Sequence, residues 1–486
     1  MSAHLTHLAE QLAGSVPHGG DALVDDAVHD SATVRPGALF CAVRGQRHDG
    51  HDHAARAVAD GAAALLVEQR LELDVPQLVV ASVRAAMGPA AAFIHGEPAR
   101  ALRMLGVTGT NGKTTVTFLL EAAIAAAGLG SGRIGTLGAR LHGRSEPGVR
   151  TTPEATDLQR MLRSMHSRGA DAIAMEVSSH GLDLRRVDGI TFDVAAFTNL
   201  TRDHLDWHGD MERYLAAKAR LFTPELARHG VVLLDAPGAR DLVALARIPL
   251  TTLGVAPDAD VAVLDRRVER DGSRAVLRID GNDLPVRTVM RGTHNLDNVL
   301  VAVVTAVRAG LDPDVVARGV ADVAAPPGRL EPFGGDGRPL VLVDYAHTPD
   351  AVAGAVVVGR GLTLKGGRLH VVIGAGGDRD RDKRSPMGVA AGVADVVIVT
   401  DDNPRSEEPA AIRRSVLEGA RTGTASVAEV ADRASAVAQA IGAASAGDVV
   451  LILGRGHESH QEVAGEHLAL DDRDLVRRAL AGEVRA

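Results

Sequence analysis

Gly106-Val107-Thr108-Gly109-Thr110-Asn111-Gly112-Lys113-Thr114-Thr115 closes the apolar run that begins Arg103-Met104-Leu105 and opens the helix-favouring stretch from Lys113 to Gly128. It nearly fits the phosphate-binding template G-x-x-x-x-G-K-[ST], which wants a glycine where Val107 stands. Strand, glycine turn, lysine, threonine and helix is nonetheless the order that a phosphate cradle requires. Gly109 and Gly112 let backbone N–H groups turn inward, the helix N-terminus adds partial positive charge, and Lys113 reaches terminal phosphates. Thr110, Asn111 and Thr115 complete the loop, and Thr114 is placed to ligate Mg²⁺. A strand feeding a helix through such a loop decides the class as α/β with a mainly parallel sheet.

Downstream, the continuous apolar runs Asp171–Val177, Asp193–Leu200 and Gly230–Asp235 are separated by helical stretches, as expected for strands buried on both faces. Upstream, short β-prone runs such as Pro36–Gly45 and Gln77–Ala81 alternate with helix-like stretches, which reads as a small α/β domain of about the first hundred residues. The proline pair Pro326-Pro327 breaks the rhythm and reads as a linker near residue 328. Beyond it strands restart at Pro339–Asp344, Arg368–Ile373, Ala394–Thr400 and Asp448–Leu453. Each is followed by a glycine or polar cluster, where ligands of open α/β sheets bind. The expected domains are 1–99, 100–327 and 328–486, and no fixed-period repeat runs through them.

The 486 residues exceed one core of usual size. A net charge of -9 without a Lys/Arg run excludes a nucleic-acid binder but not a ligand for small anions. Cys41 is the only cysteine, so neither an internal disulfide nor a Cys-rich metal site is available. Without a basic-then-apolar leader or a long uncharged apolar run, the expectation is a cytoplasmic protein with no membrane partner. Glu176 and His204 stand after strands of the loop-bearing sheet, where they could close on the loop's metal. Lys218, in Tyr214–Phe222, reads by itself as a solvated helical lysine.

In order along the chain stand TGTNGKTT (108–115), TTPEATDLQ (151–159), MEVSSHGL (175–182), FTNLTRDHLDWHGDMERY (197–214), HNLDNVLVA (294–302), GRLEPF (328–333), DYAHTPDA (344–351), GGDRD (376–380), DNPR (402–405) and GHE (456–458). In these motifs, from about residue 30 to 470, the chain resembles the Mur ligases, and among them the branch that adds diaminopimelate. The family's TGTxGK[ST] loop also accounts for Val107. The resemblance implies an N-terminal domain for the UDP end of a UDP-N-acetylmuramoyl-L-Ala-D-Glu substrate, a central ATPase domain and a Rossmann-like C-terminal domain that brings the amino acid, in a protein that is a monomer by the family's default.

Carried over by motif, Gly109, Thr110, Asn111, Gly112, Lys113, Thr114 and Thr115 would hold ATP, with Asn295, Arg329 and Asp344 also touching the nucleotide. Thr114, Glu176 and His204 would serve Mg²⁺, joined by Lys218 as a carbamate, an oxygen ligand in place of a repelling ammonium. Lys113, Lys218, Glu176 and His204 are thus the implied catalytic set. Ser31, Thr151, Thr152, Ser178 and Arg186 match contacts to the UDP-sugar peptide. Arg379, Asp402, Asn403, Pro404, Arg405, Gly454 and Glu458 match contacts to the amino acid. Arg405 would pair in a fork with the distal carboxylate of meso-diaminopimelate, which lysine lacks, and Glu458 would suit the distal ammonium.

The implied reaction is amide formation through an acyl phosphate. Two departures stand out: Asp30-Ser31-Ala32 where the family reads Asp-Ser-Arg, and Gly454-Arg455-Gly456-His457-Glu458 where it reads Gly-Lys-Gly-His-Glu. The alternatives are a lysine-adding relative, a folylpolyglutamate synthetase sharing the loop chemistry, and a nucleotide-gated regulatory protein without chemistry. DNPR and the N-terminal domain speak against the first two, and the presence of Glu176, His204 and Lys218 against the third.

Overall fold

A computed structural model describes residues 2–45, 48–148, 150–269 and 271–483. Its largest sheet has eleven strands, and the loop-bearing strand Arg103–Thr108 runs through its middle. Ala172–Glu176 lies on one side of that strand and Phe192–Phe197 on the other, both parallel to it. The parallel run extends from Ser131–Gly135 to Val261–Glu269. Leu105, Val107, Ala174 and Ala196 are fully buried against the helices that cover the sheet. Antiparallel strands cap both ends: Gly138–Leu141 with Arg144–Glu146, and Gly272–Ile279 with Asn282–Thr288. These hairpins are additions to the mainly parallel sheet expected from the apolar runs.

The N-terminal sheet has five strands in the order Val16–His18, Gln77–Val79, Ala64–Val67, Ala38–Cys41 and Asp26–Val28, parallel except at its first pairing. The helix Val83–Ile94 joins this unit to the helix Ala155–Ser167 beside the central sheet. There a Cβ on Gly88 would lie 2.2 Å from the Asp188 carbonyl, so only glycine permits the approach. Arg160 forks onto Asp26 across the same junction.

The C-terminal sheet runs Glu331–Gly334, Leu340–Asp344, Val449–Leu453, Leu369–Ile373, Val396–Val399 and Ser426–Glu429, parallel after its first pairing. The fourth strand thus lies between the first expected one and the other two, so the chain crosses over and leaves a crevice at the strands' carboxyl ends. Thr348 caps the following helix Pro349–Leu362 by accepting from Ala351 N–H, with proline at the position that needs no donor. The carboxyl ends of the central and C-terminal sheets face each other, and Arg202 reaches across with Nη2 3.7 Å from Asp380 and Asp382. No helix among the described residues is long and apolar enough to cross a membrane.

Candidate active site

The loop folds as its glycines require. Gly109 has φ +150° and Gly112 φ +87°, and Cβ atoms there would lie 1.9 Å from Thr198 Oγ1 and 2.2 Å from Asn298 Oδ1. Side chains from the neighbouring strand hold the turn: Thr198 donates to Asn111 O at 2.6 Å, and Asn199 Oδ1 accepts from Asn111 N–H at 3.0 Å. Thr110 Oγ1 lies 3.1 Å from the Tyr214 hydroxyl.

Two lysines converge on this turn. Lys113 Nζ donates to the carbonyls of Gly109 and Thr110 at 2.8 Å, and Lys218 Nζ donates to Gly109 O at 2.8 Å. Lys218 is only 1% exposed, which overturns the solvated reading its helix position suggests. Its burial, with Lys113 close by, pushes the amine well below the usual lysine range. Burial lowers Lys113 as well. Arg329 lies over the Tyr345 ring at 4.6 Å, with Nη2 3.5 Å from Thr114 Oγ1 and a buried Nε that has no hydrogen-bond partner among the described residues. Lys113, Lys218 and Arg329 have no carboxylate within ion-pairing distance among those residues. Lys113 and Arg329, half-buried and with no carboxylate at ion-pairing distance among the described residues, suit a polyanion.

Glu176, 1% exposed at the end of its strand, accepts from Thr114 Oγ1 at 3.0 Å, from Thr136 N–H at 2.9 Å and from Thr136 Oγ1 at 3.1 Å. A Cβ on Gly135 would lie 2.2 Å from its Oε1, so that glycine makes room for the carboxylate. His204 has φ +53° at the start of a helical turn, with Nε2 3.4 Å from Asp203 Oδ2 and its ring 4.7 Å from that of His180. Burial, then the neighbouring cations, lower His204 to about 3 against the pull of Asp203, which leaves a neutral imidazole able to ligate. Thr114 and Glu176 thus set a hydroxyl and a carboxylate side by side at the loop, oxygen donors of the kind Mg²⁺ takes, with the His204 imidazole near Lys113 and Lys218.

Two cavities adjoin at Tyr345, which lines both, and the smaller of them borders the loop. The smaller, of about 330 Å³, lies between the loop and the start of the C-terminal unit and is lined by Asn111, Gly112, Thr115, Asn295, Arg329 and Asp344, among others. Asn295 Nδ2 donates to Arg291 O, and Asp344 accepts from Leu330 N–H and Ala346 N–H, pinning the linker to the strand end.

The larger cavity, of about 610 Å³, joins the two facing sheets. On the central side it is lined by Thr151, Thr152, Ser178, Arg186 and His204. Thr152 Oγ1 donates to Glu176 O, accepts from Ser178 N–H and lies 3.1 Å from Ser178 Oγ, while Thr151 Oγ1 is 3.0 Å from Thr136 Oγ1. Arg186 pairs with Glu154 at 2.9 Å. On the C-terminal side it is lined by Arg379, Asp402, Asn403, Arg405, Gly454 and Glu458. Arg405 has φ +53° and donates from Nη1 to Gly377 O at 2.5 Å. Pro404 is buried, its carbonyl so close to Gly377 that a Cβ there would lie at 1.9 Å. Glu458 accepts from Asn403 Nδ2 at 2.6 Å, and burial together with Asp402 raises its pKa.

Gly109, Thr110, Lys113, Thr114, Glu176, Lys218 and Pro404 lie behind these linings, and Ser31 lines neither cavity and sits apart in the N-terminal unit. It opens the turn Ser31–Thr33, capped by Asp30, and His29 Nδ1 lies 2.9 Å from Thr156 Oγ1, bringing this turn against the helix that follows Thr152.

Sequence reasoning missed several lining residues. His180, lowered to about 4 chiefly by burial, stacks among His204, Trp207 and His208. Its signal was present in MEVSSHGL, but a lone histidine after a strand carries no sign of its partners. Asp203 is buried and, although burial opposes it, is held below the usual carboxylate range by His204, His347 and Lys383. His347 and Lys383 come from the other unit, so nothing in the local pattern links them.

The chain matches the description "Mur ligase middle domain" over residues 107–306, "Mur ligase, glutamate ligase domain" over 328–456 and "Mur ligase family, catalytic domain" over 28–101. It is 44% identical to the UDP-N-acetylmuramoyl-L-alanyl-D-glutamate--2,6-diaminopimelate ligase of Streptomyces coelicolor over 490 residues, covering 98% of this chain and 96% of that one. A solved structure of a ligase of the same name superposes with a TM-score of 0.70 at 32% identity, over 95% of each chain. A folylpolyglutamate synthase of Mycobacterium tuberculosis, solved with ADP and AMPPCP, gives a TM-score of 0.62 at 21% identity over 75% of this chain and 91% of that one, a likeness of fold alone.

Proposed function

The chain belongs to the Mur ligase family, and from that premise we propose that it joins meso-2,6-diaminopimelate to UDP-N-acetylmuramoyl-L-alanyl-D-glutamate, with ATP, in peptidoglycan-precursor synthesis. What carries the reading is the larger cavity, where Thr151, Thr152, Ser178 and Arg186 face Arg379, Asp402, Arg405 and Glu458, and which shares Tyr345 with the cavity that borders the phosphate loop. One wall offers hydroxyls and a guanidinium to an anionic sugar peptide, and the other offers charges of both signs to a diamino diacid.

On this reading residues 1–99 receive the UDP end, 100–327 bind ATP and 328–486 bring the amino acid, in a cytoplasmic monomer with no nucleic-acid or membrane partner. The loop N–H groups and Lys113 hold the ATP phosphates, while Asn295, Arg329 and Asp344 border the nucleotide. When bound, Mg²⁺ supplies charge neutralisation at the phosphate oxygens, held by Thr114, Glu176, His204 and the carbamate of Lys218. The depressed pKa of Lys218 favours its neutral amine, the form that adds CO₂: the N–C bond forms, a proton leaves, and a buried neutral amine becomes an anion.

A glutamyl carboxylate oxygen attacks the γ-phosphorus, and ADP leaves. Lys113 and Arg329 balance the charge that moves in this step. The amine of diaminopimelate then attacks the acyl carbonyl, the C–N bond forms as the C–O bond breaks, the nitrogen gives up a proton to the departing phosphate, and that phosphate carries away the carboxylate's oxygen. Closure of the facing sheets excludes water that would hydrolyse the acyl phosphate. Arg405 selects diaminopimelate through its distal carboxylate, and Glu458 receives the distal ammonium.

The test is a turnover with the glutamyl carboxylate labelled with ¹⁸O. The account expects the label in the released phosphate and a UDP-tripeptide product. Unlabelled phosphate, or phosphate without tripeptide, would refute it.

A further inference from the structure

Arg455 is a buried guanidinium whose surroundings give it work that one ammonium would not do. Its side chain is 0% exposed. Nη2 donates to His460 O at 2.7 Å and to Leu470 O at 3.0 Å. Nη1 lies 3.5 Å from Asp402 O and 3.8 Å from each of two carboxylate oxygens, Asp402 Oδ1 and Glu458 Oε2. Nε is buried without a partner among the described residues. A fully desolvated cation with one orphaned donor is a poor stabiliser compared with a well-packed apolar side chain. Its contribution lies instead in what it arranges.

His460 and Leu470 sit at the base of the hairpin of strands His460–Val463 and Glu466–Ala469, turned by Ala464 at φ +51° and Gly465 at φ +83°. A small polar two-stranded hairpin is marginal by itself. This one is laced to residues 402–405. Gln461 Nε2 donates to Asp402 O at 2.5 Å, and Glu462 N–H to Asn403 Oδ1 at 2.9 Å. Arg405 N–H donates to Glu462 O, and Ala464 N–H to Arg405 O. Glu462 Oε2 lies 3.5 Å from Arg405 Nε. Arg455 therefore joins three parts of one wall of the larger cavity: the 402–405 loop, the 454–458 turn and the hairpin.

We propose that Arg455 is a positioning residue for the amino-acid substrate: by bonding the hairpin carbonyls and facing Asp402 and Glu458 together, it fixes a paired-carboxylate receptor for an ammonium group. Without it two carboxylates would repel each other across the cavity wall, and the hairpin that orients Arg405 would lose its anchor. Glu458 is faced by Asp402, Asn403 and Arg405 from one loop, by Arg455 from its own turn, and by Tyr345 and Arg433 from adjoining elements. Burial and Asp402 already raise its pKa, and Arg455 opposes that rise. The inference rests on the ligase reading above.

The test uses Arg455→Lys and Arg455→Gln in the full chain, with KM measured separately for diaminopimelate, ATP and the UDP-dipeptide. Arg455→Lys keeps the charge but cannot bond both hairpin carbonyls while facing both carboxylates. Its diaminopimelate KM should rise about tenfold or more, with kcat and the other two KM values within about twofold. Arg455→Gln should also move the acid limb of kcat/KM for diaminopimelate upward by about one pH unit, because Glu458 must be ionised to receive the ammonium; lysine should restore that limb. An unchanged diaminopimelate KM in Arg455→Lys would overturn the proposal even if Arg455→Gln failed to fold. So would equal rises in all three KM values. A wild-type protein without amino-acid-dependent turnover would instead refute the ligase reading itself.

Discussion

Replacing Gly109 with alanine should cost nucleotide affinity much more than it costs the fold. At φ +150°, the added Cβ would lie 1.9 Å from Thr198 Oγ1, and 3.1 Å from both N and O of Asn199. The hydroxyl must yield by about 1.5 Å to reach ordinary contact, and the backbone atoms cannot rotate away. Thr198 Oγ1 donates its one proton to Asn111 O at 2.6 Å, with Thr108 O 3.3 Å away, so its displacement forfeits a bond worth about 1 kcal/mol. A non-glycine residue forced into this backbone region adds about 1–3 kcal/mol. The sum, about 2–4 kcal/mol, falls on the loop conformation that cradles phosphate, and each 1.4 kcal/mol is tenfold in affinity. ATP or ADP should bind at least about 30-fold more weakly by calorimetric titration. Gly128→Ala is the control. Its φ is +75°, but nothing lies within 4 Å of the added Cβ, so it should lower thermal stability slightly and leave nucleotide affinity alone. Wild-type affinity in Gly109→Ala, or equal loss in both variants, would refute the reasoning.

Lys218→Ala should lose activity, and short carboxylates added to the assay should restore part of it by standing in for the carbamate; full activity without rescue would remove the carbamate from the account. Arg405→Lys should shrink the preference for diaminopimelate over lysine by about 10–100-fold, since a point charge replaces the fork, as competition kinetics would read. Asp26 predicts a pH effect on stability: burial opposes it, but His95 and Arg160 hold its carboxyl at about 2, below its ordinary value of 3.8. Its contribution, up to about 2 kcal/mol, is therefore fully present above about pH 4 and fades as pH falls toward 2. The difference in thermal stability between wild type and Asp26→Asn should shrink between pH 5 and pH 3, and a constant difference would contradict the assignment.

The phosphate loop was legible because its chemistry is local: glycines, lysine and threonine act within one turn, and a buried strand and helix flank them as a pattern. The parallel strands read for the same reason, their apolar runs being continuous. Lys218 was not legible from its own neighbourhood. A lysine on a short helix resembles any solvated lysine until Tyr214 and the loop close over it. Glu176 and Thr114 meet across 62 positions, and Asp203 meets His347 across the two facing sheets, at 4.0 Å. Such pairs are made by topology rather than by spacing. Arg455 was visible as a changed letter, but its role depends on a hairpin whose polar strands, His460–Val463 and Glu466–Ala469, lack the apolar alternation that marks a strand. The antiparallel ends of the central sheet likewise lie outside the glycine-punctuated rhythm of strand and helix.

The central claim is that two adjoining cavities activate a glutamyl carboxylate with ATP and deliver diaminopimelate to it. The most direct measurement is phosphate release with ATP, Mg²⁺ and UDP-N-acetylmuramoyl-L-Ala-D-Glu, offering diaminopimelate, lysine or no amino acid in parallel. The account predicts release that depends on diaminopimelate, together with the UDP-tripeptide. Release with lysine in its place would overturn the role of Arg405, and no amino-acid-dependent release at all would contradict the account.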